Sequence, residues 1–193
     1  MRTLAITENI TVDGSIEMLT DWFDPQGQGD VDMADLLEEN HRQDSRADAL
    51  LLGRQTFEDF RGYWPQQTDD TTGITDYLNK VHKYVVSTTL TDPRWANSTV
   101  LAGDAIEEVS ALKARSGKDI VLTGSITLAH TLIAAGLVDE YRFFVYPVVQ
   151  GRGRCPFPQG YAIPRLRLVE SKAFRSGITL QRYVPLRDGG TGA

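Results

Sequence analysis

Short apolar runs alternate with stretches of helical periodicity through most of the chain. The apolar runs predict strands at residues 3–7, 49–52, 82–88 and 120–123. Between them, helical periodicity predicts helices that begin at Asp32, Thr56 and Asp104 and end near residues 46, 62 and 117. A fourth helix is predicted after Ser125, ending at Gly136. This alternation favours a largely parallel sheet, in which the uninterrupted apolar run at 49–52 is buried on both faces.

The pattern changes near the C-terminus. Three strands without intervening helices are predicted at 141–149, 166–174 and 178–185, and a turn at Ser176 and Gly177 joins the last two into a hairpin. Residues 15–32 and 66–75 lack periodicity and are predicted as loops, the second of them exposed; a loop as long as the first is usually functional or disordered. We therefore predict a single α/β domain at residues 1–186, followed by a flexible tail at 187–193.

Composition narrows the function classes. The chain has 193 residues, 41% of them hydrophobic, and a net charge of -6, which argues against a general binder of nucleic acids or membrane surfaces. A single cysteine, Cys155, cannot form an internal disulfide, and three dispersed histidines argue against a zinc site. The N-terminus lacks a signal-peptide pattern, and no apolar run approaches the roughly 20 residues of a membrane span. We predict a cytoplasmic protein without a metal.

Glycine and hydroxyl residues follow three of the predicted strands, at 53–56, 87–89 and 123–127. Ligands bind beyond the carboxyl ends of the strands in an open parallel sheet, so these segments can line one crevice. A helix that begins after a glycine offers backbone N–H groups to a phosphate, and Arg54 with Ser87 and Thr88 can bind another. The alternative is that these residues only cap helices, but their recurrence at three strand ends favours a ligand site.

Three early carboxylates, Asp13, Asp32 and Asp35, are candidates for proton transfer, because burial beside a substrate can raise a carboxyl pKa toward neutrality. Each also has a structural alternative: a turn for Asp13, an N-cap for Asp32 and a first helical turn for Asp35. Trp22 either closes over a ligand or anchors its loop to the core. The segment 151–154 lacks the third glycine of a dinucleotide-binding motif, and no Walker A or Gly-x-Ser-x-Gly motif occurs. The histidines fall on separate elements, which argues against a catalytic triad.

The order and spacing of several motifs resemble the dihydrofolate reductase superfamily, and most closely the reductase domain of riboflavin biosynthesis. The resemblance covers nearly the whole chain and implies a three-layer α/β fold with a mixed, mostly parallel central sheet, helices on both faces and an antiparallel C-terminal hairpin. The segments that carry it are Val12-Asp13-Gly14, DALLLGRQTF at 48–57, YVVS at 84–87, VLTGS at 121–125, AGLVDE at 135–140, and PVV at 147–149 followed by Gly151 and Gly153.

The resemblance implies hydride transfer from NADPH to a small heterocyclic or ribosylamino substrate, and a homodimer. An acid is implied early in the first long helix, which favours Asp35, with Asp32 next. Two alternatives stay open: a dihydrofolate reductase-like enzyme, and a non-catalytic nucleotide-binding protein that keeps the fold. The cofactor-binding residues implied by the resemblance are Gly53, Arg54 and Thr56 for the adenosine phosphates, Arg54, Ser87 and Thr88 near the 2′-phosphate, and Gly124, Ser125, Ile126, Thr127 and Leu128 for the pyrophosphate.

Overall fold

A computed structural model describes residues 1–24, 31–163 and 165–186, so the predicted tail lies outside the described residues. In these ranges, five α-helices and a short 3-10 helix at Trp64–Gln66 accompany eight strands. The strands are β1 (Leu4–Thr11), β2 (Ala47–Gly53), β3 (His82–Val86), β4 (Ser98–Leu101), β5 (Asp119–Leu122), β6 (Glu140–Tyr146), β7 (Leu166–Ala173) and β8 (Thr179–Pro185). The helices are α1 (Ala34–Asp44), α2 (Arg54–Tyr63), α3 (Ile74–Lys80), α4 (Ala105–Ala114) and α5 (Ile126–Ala134).

All eight strands form one sheet in the order β4-β3-β2-β5-β1-β6-β8-β7. The strands from β4 to β6 pair in parallel, whereas β8 pairs antiparallel with both β6 and β7. The turn around Ser176 and Gly177 joins β7 to β8, as predicted, and Gly177 takes a positive φ of 84° there. The sequence-based prediction of a mostly parallel sheet that ends in an antiparallel hairpin is confirmed.

Helices cover both faces of the sheet because its central strands are apolar on both sides. In β2, Ala49 and Leu51 belong to the core beneath α4 and α5, while Leu50 and Leu52 pack with Phe57 of α2 on the opposite face. A third cluster joins α1 to the antiparallel end of the sheet. The alternate side chains of a buried strand serve two cores in this way, which explains the uninterrupted apolar run at 49–52.

Two elements escaped the sequence analysis, and each has a physical reason. The edge strand β4 has only one buried residue, Leu101, so no apolar run marks it. The helix α3 follows Gly73 inside a polar segment and buries only Leu78. The prediction that residues 66–75 are exposed is wrong in part, because Thr72 is buried, and its carbonyl contacts the Nε2 atom of His41 at 3.0 Å.

The helix starts also differ from prediction in two of three cases. Thr56 does not cap its helix, because α2 begins at Arg54 directly after Gly53 and Thr56 lies in its first turn. The α1 cap position is Met33, although the Asp32 carboxylate does accept a hydrogen bond from Ala34 N at 3.0 Å. Asp104 caps α4 as predicted, accepting from the backbone N–H groups of the second and third helical residues.

Candidate functional site

Two of the three predicted strand ends are joined by hydrogen bonds. Because β3, β2 and β5 are parallel neighbours in the sheet, their carboxyl ends lie along one edge. The Ser125 hydroxyl accepts from Gly53 N at 2.9 Å, and Ser125 N donates to the Thr56 hydroxyl at 2.9 Å. These two bonds hold the start of α5 against the start of α2. We call this region, Gly53–Thr56 with Gly124–Leu128, the strand-end edge.

Among the described residues, neither helix of the strand-end edge has a side-chain cap for the N–H groups of its first turn. Gly124 and Ser125 both have left-handed backbone conformations, with φ of 57° and 50°. A Cβ on Gly124 would lie 3.0 Å from the Thr56 Cγ2 atom, so a side chain there would crowd the joined helix starts. Two uncapped helix N-termini side by side form an electrostatically suitable place for an anionic group.

Arg54 and Ser87 follow neighbouring positions at the ends of two paired strands. Gly53 and Val86 are the last paired residues of β2 and β3, and Arg54 and Ser87 come directly after them. Arg54 is exposed and forms an ion pair with Glu58 at 2.9 Å. The Ser87 hydroxyl accepts from Thr89 N and Leu90 N at 3.2 and 3.0 Å and so shapes the loop after β3. Thr88 is exposed in that loop.

A cavity of about 980 Å³ opens beside the strand-end edge, between α1 on one side and α2 with α3 on the other. Its floor comes from the central strands of the sheet, and Thr123 and Gly124 bring the cavity to the start of α5. Cavities of this size hold small organic ligands and cofactors. The floor and wall residues include Thr7, Glu8, Asn9, Leu50, Val121, Arg142 and Phe144 from the sheet, and Leu36, Asn40, Asp44, Asp59, Phe60, Trp64 and Tyr77 from the helices.

Four carboxyl residues line this cavity: Glu8, Asp24, Asp44 and Asp59. The sequence analysis did not single out any of them for proton transfer. Glu8 is buried in β1, and burial raises its pKa well above the ordinary value, partly offset by the N–H of Gly124. Burial also raises the pKa of Asp44, at the end of α1, to about 6. A carboxyl residue directly after the first predicted strand was the available signal for Glu8. Nothing in the sequence distinguishes Asp44 from the other charged residues of its helix.

The three carboxylates that the sequence analysis proposed for proton transfer lie outside the cavity lining. Asp35 accepts from Arg175 N at 3.0 Å, and Asp32 pairs with the Arg175 guanidinium at 2.7 Å, so both hold the β7–β8 turn against the start of α1. The Arg175 N–H lowers the pKa of Asp35. Hydrogen bonds from the Thr11 hydroxyl and from two backbone N–H groups lower the pKa of Asp13 to about 2. None of these three residues lines the cavity.

Trp22 anchors its loop, which decides between the two roles considered for it. The side chain is buried, its Nε1 donates to the Gln150 amide oxygen at 3.0 Å, and its ring packs edge-on against Tyr146 at 5.1 Å between centroids. The loop thereby packs against the turn at 150–154. Gly153 of this turn lies so close to Ser15 that a Cβ on Gly153 would be 2.1 Å from the Ser15 hydroxyl oxygen. Gly153 therefore serves loop packing.

Within the described ranges, no group of His, Cys, Asp and Glu residues is arranged to hold a metal ion. Each histidine contacts a different partner: His41 the Thr72 carbonyl, His82 the Thr99 hydroxyl and His130 the Cys155 carbonyl. In the same part of the chain, every helix is too short or too polar to span a bilayer.

The fold agrees with the comparisons with known proteins. The chain matches the RibD C-terminal domain over residues 2–180. It belongs to the RibD C-terminal domain family. Two relatives are the uncharacterized Bacillus subtilis proteins YyaP and YwjB. YyaP is 33% identical, and the match covers 92% of this chain and 92% of YyaP. YwjB is 27% identical, and the match covers 87% of this chain and 86% of YwjB. The family resemblance inferred from the sequence motifs is therefore confirmed.

Solved structures share the fold of this RibD C-terminal domain at low sequence identity. A putative riboflavin biosynthesis protein from Shewanella sp. PV-4 has a TM-score of 0.69 and 17% identity, covering 96% of this chain and 99% of that one. A pyrimidine reductase-like protein from Corynebacterium diphtheriae gives 0.60 and 16%, covering 96% and 92%. A Thermotoga maritima diaminohydroxyphosphoribosylaminopyrimidine deaminase/5-amino-6-(5-phosphoribosylamino)uracil reductase gives 0.63 and 15%, covering 95% of this chain and 56% of that one.

Proposed function

We propose that this protein is an NADPH-dependent reductase that transfers hydride to a small heterocyclic substrate bound in the cavity. The observation that carries the proposal is the position of Gly124, which both lines the cavity and precedes the uncapped start of α5. A dinucleotide whose phosphates lie on the strand-end edge can therefore extend its reactive ring into the cavity. The family adds support, because its structural neighbours include a protein named as a reductase.

The residues of the strand-end edge fit such a cofactor. The uncapped N–H groups at the start of α5 would hold the pyrophosphate, and the Ser125 hydroxyl, which accepts from Gly53 N, keeps its own O–H as a donor. Gly53, Arg54 and Thr56 would meet the adenosine phosphates, with Ser87 and Thr88 beside Arg54. When bound, NADPH supplies the hydride; the protein supplies orientation and electrostatics.

A proton must accompany the hydride, and we assign it to Glu8. Its carboxyl group lines the cavity and lies beside the N–H of Gly124, and burial raises its pKa, which favours the protonated form that a donor requires. Asp35 and Asp32 are the alternatives implied by family resemblance. Their carboxylates contact Arg175 instead, and the pKa of Asp35 is lowered, so it holds its proton less readily.

The substrate is the second part of the proposal. A ribosylaminouracil of the kind named for the Thermotoga neighbour and dihydrofolate are the two named candidates, and a non-catalytic nucleotide-binding protein is the alternative in another class. Oxidation of NADPH with either substrate identifies an enzyme. If the protein binds NADPH but does not oxidise it with any heterocycle tested, the non-catalytic alternative applies.

Cofactor binding is tested by titrating the protein with NADPH and NADH while following nucleotide fluorescence. We expect tighter binding of NADPH, because Arg54 would add a charge-assisted hydrogen bond to the 2′-phosphate. Arg54→Ala should weaken NADPH binding about 10-fold, a loss of roughly 1.4 kcal/mol, while leaving NADH binding nearly unchanged. Arg167→Ala is the matched control, since Arg167 is exposed on β7 at the far end of the sheet. Equal affinity for both nucleotides would refute the 2′-phosphate site.

The proton donor is tested with Glu8→Gln, which keeps the shape of the side chain and removes its acidic proton. We expect NADPH oxidation to fall about 100-fold or more, in the range typical of general acid catalysis, with NADPH affinity retained. In the wild type the rate should decline as pH rises through the raised pKa of Glu8, because only the protonated form donates. A Glu8→Gln variant that oxidises NADPH at the wild-type rate would return the role to Asp35 or Asp32.

A further inference from the structure

The side chain of Arg142 lies across the floor of the cavity in a fixed position. Because β1 lies between β5 and β6 in the sheet, Arg142 of β6 crosses β1 to reach Asp119 of β5. Its Nη2 atom donates to Asp119 at 2.8 Å, and its Nε atom donates to Glu140 of its own strand, also at 2.8 Å. These two charge-assisted hydrogen bonds hold the plane and the direction of the guanidinium group.

The third nitrogen of this guanidinium, Nη1, has no hydrogen-bond partner among the described residues. Arg142 is 1% exposed, so bulk water does not satisfy the atom either. A buried donor that stays unpaired is costly, and in native proteins such a group usually has a ligand, a bound water or a functional role. Asp119 and Glu140 lie outside the described cavity lining, whereas Arg142 belongs to it. Nη1 is therefore the donor that this side chain leaves for an occupant of the cavity.

A second unpaired polar atom lies beside Arg142 on the same face of the sheet. Thr7 is the register partner of Arg142 in the parallel β1–β6 pair, and both residues line the cavity. Their chain neighbours Ile6 and Phe143 belong to the core on the opposite face. The Thr7 hydroxyl is buried and has no partner in the part of the chain that the structure describes. Neighbouring strands are about 4.8 Å apart, so one small group can contact both side chains.

The surroundings of these two atoms suit a planar ring. Burial and the negative charge of Asp44 raise the pKa of Tyr77, and the positive charge of Arg142 partly offsets this rise. Tyr77 of α3, which also lines the cavity, is therefore within electrostatic reach of the guanidinium. Phe144, two residues further along β6, and Phe60 of α2 add aromatic surfaces to the lining. A planar ring gains from contact with such surfaces.

The two unpaired groups differ in the hydrogen bonds that they can form. A guanidinium N–H only donates, so Nη1 requires an acceptor, whereas the Thr7 hydroxyl can donate or accept. A cyclic amide presents a carbonyl oxygen next to an N–H, and we call this pair of groups the amide edge of a ring. The carbonyl oxygen of such an edge can accept from Arg142 while its N–H donates to Thr7.

We propose that Arg142 Nη1 and the Thr7 hydroxyl form a subsite for the amide edge of a planar heterocyclic substrate, with the carbonyl on Arg142 and the N–H on Thr7. The inference rests on the proposed function in taking this ligand to be the substrate of the reduction, but it concerns binding to the cavity floor. Arg142 and Thr7 would determine which heterocycle binds and how its ring is oriented.

Three probe compounds separate the two halves of the amide edge. Quinazolin-4(3H)-one carries the carbonyl and the N–H, its 3-methyl derivative keeps only the carbonyl, and quinazoline lacks both. Each is titrated calorimetrically into the full chain without NADPH. We expect quinazolin-4(3H)-one to bind about 10-fold more tightly than quinazoline, and more tightly than its 3-methyl derivative. Binding of quinazolin-4(3H)-one no tighter than that of quinazoline would overturn the proposal. Tighter binding of quinazoline-4-carboxylate would also overturn it, because the subsite would then take an anion.

Variants assign each half of the amide edge to one residue. Arg142→Lys keeps the positive charge but removes Nη1, so it should weaken both carbonyl compounds about 10-fold and leave quinazoline unchanged. Thr7→Val removes only the hydroxyl, so it should weaken quinazolin-4(3H)-one about fivefold and spare the 3-methyl derivative. Ser98→Ala is the matched control. The Ser98 hydroxyl is also buried and unpaired among the described residues, but it belongs to β4 and lies outside the cavity lining.

Thr7→Val also separates binding from folding. Because the Thr7 hydroxyl has no partner among the described residues, its removal breaks no hydrogen bond of the free protein. Thermal unfolding should therefore show no loss of stability in Thr7→Val. The assignment is overturned if this variant binds quinazolin-4(3H)-one as tightly as the wild type does, or if it weakens the 3-methyl derivative equally. NADPH oxidation is measured separately, so a lack of oxidation with every heterocycle tested refutes the reductase and leaves this subsite standing.

Discussion

Asp44 differs from the other carboxyl residues of α1 because it is the one that lines the cavity. Its neighbours on the helix are compensated: Glu39 is held by Arg42 and Lys172, and Asp35 by Arg175. Asp44 has no ion pair among the described residues, and burial raises its pKa to about 6, with His41 lowering it slightly. The folded protein therefore disfavours the ionised form of this side chain.

This gives a prediction about stability and pH. The folded-state pKa lies above the ordinary value of 3.8, so the folded protein binds the Asp44 proton more tightly than the unfolded chain does. The cost of ionising Asp44 is absent below about pH 4, grows between pH 4 and 6, and is complete above pH 6. Asp44→Asn should therefore stabilise the protein at pH 8 by up to about 3 kcal/mol and have little effect at pH 4.

Urea unfolding of both proteins at pH 4 and pH 8 measures the difference. Asp76→Asn is a suitable control, because Asp76 is exposed and paired with Lys80 across one helical turn. A stabilisation of equal size at the two pH values would contradict the assignment, since it would come from a source other than ionisation.

At the scale of elements, the start of α1 and the β7–β8 turn form a single unit. Arg175 in the turn donates its backbone N–H to Asp35, and its guanidinium contacts Asp32 and Asp35 at 2.7 and 3.5 Å. Beneath them, Leu36 packs with Phe174 in the third hydrophobic cluster. The early carboxylates of the first helix thus act on a hairpin more than 130 residues away in the chain.

Replacing Asp35 should therefore loosen the hairpin turn. We expect Asp35→Ala to accelerate amide hydrogen exchange at Arg175, because the backbone N–H loses its acceptor, while amides in β2 keep their protection. Asp35→Asn retains an oxygen acceptor and should exchange at close to the wild-type rate.

The same pair of variants separates structure from catalysis. If Glu8 is the proton donor, Asp35→Asn should keep most of the NADPH oxidation rate. A rate that falls as far in Asp35→Asn as in Glu8→Gln would show that the first-helix acid implied by family resemblance takes part in the reaction.

At the scale of the whole molecule, β7 is the edge of the sheet and leaves apolar side chains in contact with solvent. Leu168 and Val169 are exposed on this strand, and among the described residues β7 pairs with β8 alone, so its other side has no neighbouring strand. An exposed apolar edge strand is a ready place for a second chain to pair. We therefore propose that the homodimer expected from family resemblance forms along β7.

Sedimentation at micromolar concentration tests the dimer. We expect a species of twice the 21.5 kDa chain mass, and we expect Leu168→Lys to convert it to the monomer, because a charge at the edge opposes apolar pairing. Asp76→Lys, on the exposed surface of α3, serves as a control with the same new residue and should leave the dimer intact. A single species near 21.5 kDa for the wild type would contradict the proposal.

The sequence by itself determined the class of fold and the family. Uninterrupted apolar runs such as 49–52 arise only where a strand is covered on both faces, and the alternation of such runs with helices requires parallel neighbours. The motifs after β2 and β5 also predicted two segments that hydrogen bonds join in the structure, because glycine and hydroxyl residues at helix starts are local features that the sequence carries directly. The weak elements β4 and α3 escaped because each buries a single residue.

Only the tertiary structure decided which carboxyl groups reach the cavity. Asp32 and Asp35 have a sequence context suited to a catalytic acid. In the structure, both carboxylates pair with Arg175 of a distant hairpin, and neither lines the cavity. Glu8 and Asp44 look like ordinary charged residues in the sequence, yet the packing of β1, α1 and α3 buries them beside the cavity and raises their pKa values. The charge of a site depends on groups that come from elements far apart in the chain. A local sequence pattern therefore cannot predict it.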